Sequence, residues 1–200
     1  MAQLGIEALA PQLGTSQRNP KHKAPPYLLG KWAIVRSKQV WALDTTYIRM
    51  ELGFVYLTAV VDVYSRKVLA HRVAITMEAL HAKEVLQEAL NRYGVPEIIN
   101  TDQGCQFTAQ EFVDAALDAG AKLSMDGRGA WRDNVFVERV WRSVKYECAY
   151  LKAYESVNQA RSDIARYIDW YNAERCHSSH DGKTPDEVWL AGLPELQGVA

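Results

Sequence analysis

Cysteine is scarce in this chain: three residues in 200, Cys105, Cys148 and Cys176, with no C-x-x-C pair. An odd, scattered set argues against a disulfide framework and against a structural zinc module, and it fits a reducing cytoplasm. Long apolar runs are also missing. None approaches the ~20 residues that span a bilayer, and the first residues lack the apolar stretch of a secretory signal, so no membrane partner is expected. Net charge is close to absent, −1 at pH 7, which on its own argues against a nucleic-acid partner. No repeat or low-complexity segment breaks the sequence. What is present is ordinary: 48% hydrophobic and 24% charged residues, enough for one catalytic-sized domain to bury a core without cross-links.

The small total conceals an uneven layout. From Gln17 to Lys38 there are Arg18, Lys21, Lys23, Lys31, Arg36 and Lys38, and no acid. Between Lys122 and Lys152, seven Lys and Arg face four acids. Basic patches of this kind bind phosphates, because neutralising them releases condensed counterions. A charge run is more often only a wet surface, so the patches support a DNA partner without establishing one.

Residues 1–30 are broken by Pro11, Gly14, Pro20, Pro25 and Pro26 and read as a tail. Three runs rich in β-branched and aromatic residues follow, Val40–Ile48, Gly53–Tyr64 and Lys67–Ala74. Short turns separate them, as in an antiparallel meander. Leu80, Val85, Leu86, Ala89 and Leu90 give Glu78–Tyr93 a helical apolar stripe that stops at Gly94. A strand over Glu97–Thr101 ends at Asp102. Thr108 and Glu111 have the spacing of a capping box for a helix with Phe112, Ala116 and Leu117 inward, ending at Gly120. Ala121–Met125 is a further strand, and Asp126–Arg132 a loop before a helix capped by Asp133 or Asn134. A long helix runs from Ser156 to about Ala173, and Thr184-Pro185-x-Glu187 opens a short last one. The order predicts an α/β fold, a mixed five-stranded sheet flanked by helices, with a C-terminal helical extension. Expected divisions are a tail over 1–38, a catalytic core over 39–152 and the extension over 153–200.

Three acids carry the chemistry. Asp44 sits inside a predicted strand, where Asp is depleted. Asp102 closes a strand, the usual place for reacting groups in α/β sheets. Glu138 lies on a helix whose apolar arc is Phe136, Val137, Val140, Trp141 and Val144, so it shares the opposite face with Arg142 and Lys145. Three such carboxylates suit two magnesium (or manganese) ions, which take hard oxygen ligands and stabilise both oxygens of a phosphoryl displacement. Singly, Asp102 reads as a turn residue and Glu138 as an i, i+4 partner of Arg142.

Thirty-five residues separate Asp102 from Glu138, and here a resemblance enters. The blocks Gln39–Ile48, Val61–Arg66, Thr101–Thr108, Asp133–Arg139 and Trp141–Glu147 resemble the Asp-Asp-(35)-Glu core of bacterial insertion-sequence transposases and retroviral integrases. Tyr171-Asn172-x-x-Arg175-x-His177 and Thr184-Pro185-x-Glu187 resemble its closing motifs. The likeness spans about residues 27–190 and is nearest the insertion-sequence 3 type. It implies a ribonuclease-H-like fold, a bacterial cytoplasmic location and metal-dependent cleavage and strand transfer in DNA transposition. It also implies Asp44 bridging two Mg2+ (or Mn2+) ions, with Asp102 on one and Glu138 on the other. Transposon ends, target DNA and further copies of the chain are the implied partners.

Arg142, Lys145, Arg139, Lys38 and Asn134 are the expected DNA contacts. Asp62, another strand-end acid, is expected to pair with Arg66. The Cys176-His177-Ser178-Ser179-His180 loop reads as solvated or hydrogen-bonded in preference to zinc-binding. Family members carry a helix-turn-helix region before the core, and Gly5–Pro11 resembles only its end. That keeps open a second expectation, a truncated and inactive DNA-binding or assembly fragment.

Overall fold

A computed structural model of the chain describes residues 25–31, 33–126 and 135–194. The expectations for the tail over 1–24, for the 127–132 part of the loop and for the caps Asp133 and Asn134 lie outside the described residues.

The β-branched runs form the meander. Strands β1 (Val40–Arg49), β2 (Phe54–Asp62) and β3 (Val68–Ala74) pair antiparallel in sequence order. Gly53, at φ 78, supplies the left-handed residue of the first turn. β2 ends two residues before the predicted Tyr64 because Asp62 closes the turn. Its Oδ1 accepts from the Ser65 N–H and hydroxyl at 2.8 and 2.7 Å, and its Oδ2 accepts from the Lys38 N–H at 2.8 Å. The expected Asp62–Arg66 pair is present as a backbone bond, Arg66 N–H to the Asp62 carbonyl at 2.9 Å, and as mutual attraction of the two charges, without a side-chain ion pair among the described residues. The Arg66 guanidinium donates to the Val63 carbonyl and lies 3.5 Å over the Phe136 ring.

Strand β4 (Ile98–Thr101) pairs parallel with β1, and β5 (Lys122–Met125) parallel with β4, giving the sheet order β3-β2-β1-β4-β5. Strand alternation then divides the interior. Trp41, Leu43, Val60 and Leu69 face helices α1 (Ala79–Tyr93), α2 (Cys105–Thr108) and α3 (Gln110–Asp118). Ala42, Ile48, Leu57 and Ala59 face α4 (Val135–Glu147) and α5 (Val157–Ala173), which add Val137, Val140, Val144, Ile164 and Ile168. The predicted mixed sheet flanked by helices is the fold observed. Helix α6 (Pro185–Ala191) carries the full capping box, with Thr184 and Glu187 bonded reciprocally.

The Thr108–Glu111 capping box does not form. The chain turns helical earlier, at Gly104, so Thr108 ends α2 and its hydroxyl donates back to the Gly104 carbonyl at 3.2 Å. Ala109 becomes the extended N-cap of α3, without a side-chain bond. Leu80 and Leu117, predicted inward, are 44% and 51% exposed. Each lies at the edge of its stripe, where smaller neighbours (Ala82, Ala116) already fill the contact. No helix among the described residues is long and apolar enough to cross a membrane.

Candidate active site

Strand register brings the first two acids together. Leu43 pairs with Thr101, the last residue of β4, so Asp44 and Asp102 are the next residues on two parallel neighbouring strands. β1 continues for five residues beyond Asp44 while β4 stops, which leaves the two carboxylates at an opening in the sheet. Asp44 is half-buried. Its Oδ1 accepts from the Thr45 N–H at 2.7 Å and its Oδ2 from the Trp141 indole N–H at 2.8 Å. Burial pushes this carboxyl up to about 6, and the negative charges of Asp102 and Glu138 push the same way against the two donors. The other two predicted acids thus both act on Asp44.

Asp102 is fixed by the turn that follows it. Its Oδ1 accepts from the Gly104 N–H at 2.9 Å. A Cβ at Gly104 would sit 2.9 Å from that oxygen and 2.7 Å from Gln106 Nε2, so glycine is what lets the turn close over the carboxylate. The end of β5 braces the same turn. Asp126 Oδ1 accepts from Asn100 Nδ2 at 3.0 Å, and its carbonyl accepts from Gln103 Nε2 at 3.0 Å. The Asp126 N–H donates to the Thr101 carbonyl at 2.9 Å. Asp126, read as the first residue of a loop, does follow the end of β5 and is buried there. A polar Asn100 inside a short apolar strand was the signal for this brace.

Glu138 lies in the first turn of α4 and is exposed, with Arg142 exposed and Lys145 partly so. About 100° per residue puts these three on one face and turns Arg139 away. Arg139 is felt instead by Arg66, whose guanidinium burial lowers to about 10, with the Arg139 charge adding. No ion pair joins Glu138 to Arg142 among the described residues. Lys38 is not brought to the acids. It precedes β1, at the end of the sheet away from Asp44, with its ammonium against Gly94. Asn134 lies outside the described residues. Trp141 is the site residue that pattern reading missed, since helical spacing assigned it only to the apolar arc.

Among the described residues, no three His, Cys, Asp or Glu side chains are grouped so as to hold a metal ion. The acids nevertheless fit a hard divalent cation. They offer carboxylate oxygen, and the Asp44 charge, disfavoured chiefly by burial and further by Asp102 and Glu138, is one that such a cation would stabilise. In the Cys176–His180 loop, the His177 ring packs edge-on against Tyr171 at 5.1 Å, and Cys176 Sγ points to the Glu174 carbonyl at 3.8 Å.

Known proteins of similar sequence and fold bear on the chain as a whole. A family model described as Integrase core domain matches residues 35–130, and a second model of the same description matches residues 119–185. The transposase for insertion sequence element IS904 of Lactococcus lactis is 31% identical over 152 residues, covering 74% of this chain and 60% of that protein. Transposase InsF for insertion sequence IS3A of Escherichia coli is 34% identical over 152 residues, covering 74% of this chain and 53% of that protein. The chain therefore spans a little over half the length of these curated relatives. Among solved structures, a chain of the simian T-cell lymphotropic virus intasome with PP2A regulatory subunit B56 gamma superposes with TM-score 0.66 at 21% identity, over 91% of this chain and 63% of that one. The HTLV-2 integrase catalytic core domain in complex with magnesium gives TM-score 0.55 at 21% identity, over 76% and 95%. At that identity the likeness establishes the fold, which is ribonuclease-H-like.

Proposed function

The chain belongs to the integrase core domain family, and from that premise we propose that it is the catalytic core of a DNA transposase, cutting a DNA strand and joining its end to a new one. The observation that carries this reading is the placement of Asp44 and Asp102 at adjacent strand positions, within the field of Glu138. Asp44, Asp102 and Glu138 would hold two Mg2+ or Mn2+ ions, which when bound supply charge neutralisation at the phosphate and activation of the attacking oxygen. The protein's own groups do the rest. The Gly104 N–H and the Asp126 brace fix Asp102, while Thr45 and Trp141 fix Asp44. Glu138, exposed in the first turn of α4, would face the cations that Asp44 and Asp102 hold. Arg142 and Lys145 on the same face neutralise neighbouring phosphates, which sets strand position without reading sequence. DNA, as element ends and target, is the partner. Further copies of the chain are needed because two ends must be handled together.

The test uses the chain with Mg2+ or Mn2+ and duplex DNA carrying element ends. Nicking or strand transfer is expected, and Asp102→Asn should abolish it while the fold, followed by circular dichroism, is unchanged. Activity that survives Asp102→Asn would refute the site assignment.

A further inference from the structure

Helix α4 could be held on the sheet by shape alone. Val137, Val140 and Val144 fill its inward face and are at most 1% exposed. The fourth inward position is Trp141, 5% exposed, and a tryptophan brings an N–H that an apolar site cannot satisfy. In this chain the N–H is satisfied by Asp44 Oδ2, 2.8 Å away and 97 residues distant in sequence. The bond spans two elements, joining the strand that carries one acid to the helix that carries another. Trp141 follows Glu138 by three residues, less than one helical turn, so whatever fixes the indole against Asp44 fixes the height of Glu138 along the sheet.

We propose that Trp141 is a positioning residue for the metal site, its indole N–H orienting the Asp44 carboxylate and registering Glu138 against it. This rests on the reading of Asp44, Asp102 and Glu138 as metal ligands. A carboxylate oxygen has two acceptor positions. Trp141 occupies one on Oδ2 and Thr45 one on Oδ1. One acceptor position on each oxygen is left for a cation, and the carboxylate plane is fixed before any cation arrives. A phenylalanine at 141 would fill most of the volume but leave the plane free to rotate.

Magnesium binding to the free chain, without DNA or turnover, tests this. The six tryptophans give separate indole N–H cross-peaks in a nitrogen–proton NMR spectrum. With Mg2+ one of them should shift in a saturable way, and trace Mn2+ should broaden that same peak first. In Trp141→Phe that peak should be missing. Mn2+ affinity, measured by water-proton relaxation, should fall about tenfold, the usual cost of losing a group that orients a metal ligand. Val144→Ala, which thins the same helix contact without touching Asp44, should leave the affinity within about twofold, so a merely structural role is separated. Should Trp141→Phe fail to fold, the Mn2+ broadening still identifies the peak in the unaltered chain. Ion binding that moves no indole peak, or that is equally tight in Trp141→Phe, overturns the proposal and spares the metal reading. No ion binding at all would overturn both.

Discussion

Trp41 and Trp141 bury their indoles on opposite faces of the same sheet and dispose of the N–H differently. Trp41 Nε1 has no partner among the described residues, whereas Trp141 Nε1 donates to Asp44. A buried donor left unpaired costs about 1–3 kcal/mol, and a bond to a charged acceptor is worth about 1.5–3 kcal/mol. Trp41→Phe thus removes a liability along with some packing, while Trp141→Phe removes packing and an asset together. In urea unfolding at neutral pH, Trp41→Phe should cost less than about 1 kcal/mol and Trp141→Phe about 2 kcal/mol or more. Equal costs would show that the indole bond contributes nothing. The same contrast marks what the sequence could reveal. Asp44 was conspicuous because aspartate is out of place in a strand interior. Its partner was not, because a tryptophan in an apolar stripe needs no further reason, and local periodicity cannot see an acceptor 97 residues away.

At the level of elements, α4 and α5 are joined by a polar staple beyond their shared core. Glu147, at the end of α4, accepts from Arg175 Nε and Nη2 at 2.9 and 2.6 Å and from the Tyr167 hydroxyl at 2.6 Å. The Arg175 bonds, with help from Tyr167, hold the Glu147 carboxyl below its ordinary value. His177, just past α5, is pushed down to about 4 by burial, with the charges of Arg175 and His180 adding. Both groups bind fewer protons folded than unfolded, so stability rises with pH wherever they titrate. The His177 contribution is complete above about 6.5 and is lost as pH falls toward 4. That of Glu147 is complete above about 4.5 and is lost below it. Thermal melts across pH 7 to 3 should decline in two stages. His177→Gln should shrink the first stage without removing it, since burial holds His71 and His180 down as well. Glu147→Gln should shrink the second, which Asp163 shares through its Lys152 bond, and cost about 1 kcal/mol at neutral pH, a modest figure because the pair is part-exposed. Most elements were legible beforehand: the meander from β-branched alternation, α5 and α6 from stripe and cap. Helix α3 was misjudged because Thr108 and Glu111 satisfy a local pattern that Gly104 pre-empts by starting the helical turn earlier. The brace at Asp126 was not legible because its partners lie on and just after another strand.

Across the whole molecule, the acids that make the site useful work against the fold. Asp44 has a carboxyl raised from 3.8 to about 6, chiefly by burial and further by Asp102 and Glu138. The folded state therefore holds this proton more tightly than the unfolded chain, and the sign is the reverse of that at Glu147. Between about 3.8 and 6 the folded form binds more protons, so stability falls as pH rises through that window, and the loss persists at neutral pH. A shift of about two units corresponds to roughly 3 kcal/mol at most, and about 1–2 kcal/mol is the fairer expectation for a carboxylate that is only half-buried. Asp44→Asn removes the charge and keeps an oxygen for the Trp141 N–H, but turns its amide NH2 toward the Thr45 N–H, which gives back about 1 kcal/mol. In metal-free buffer at pH 7.5 it should melt no lower than the unaltered chain and up to about 4 °C above it, given the ~2–4 °C per kcal/mol usual at this size. Added Mg2+ should raise the melting point of the unaltered chain, because an ion that binds only the folded state stabilises it by mass action, and should do little for Asp44→Asn. A variant that melts lower than the unaltered chain without metal would mean that the Asp44 charge supports the fold, and that the acids are paired by something other than the cation proposed for them.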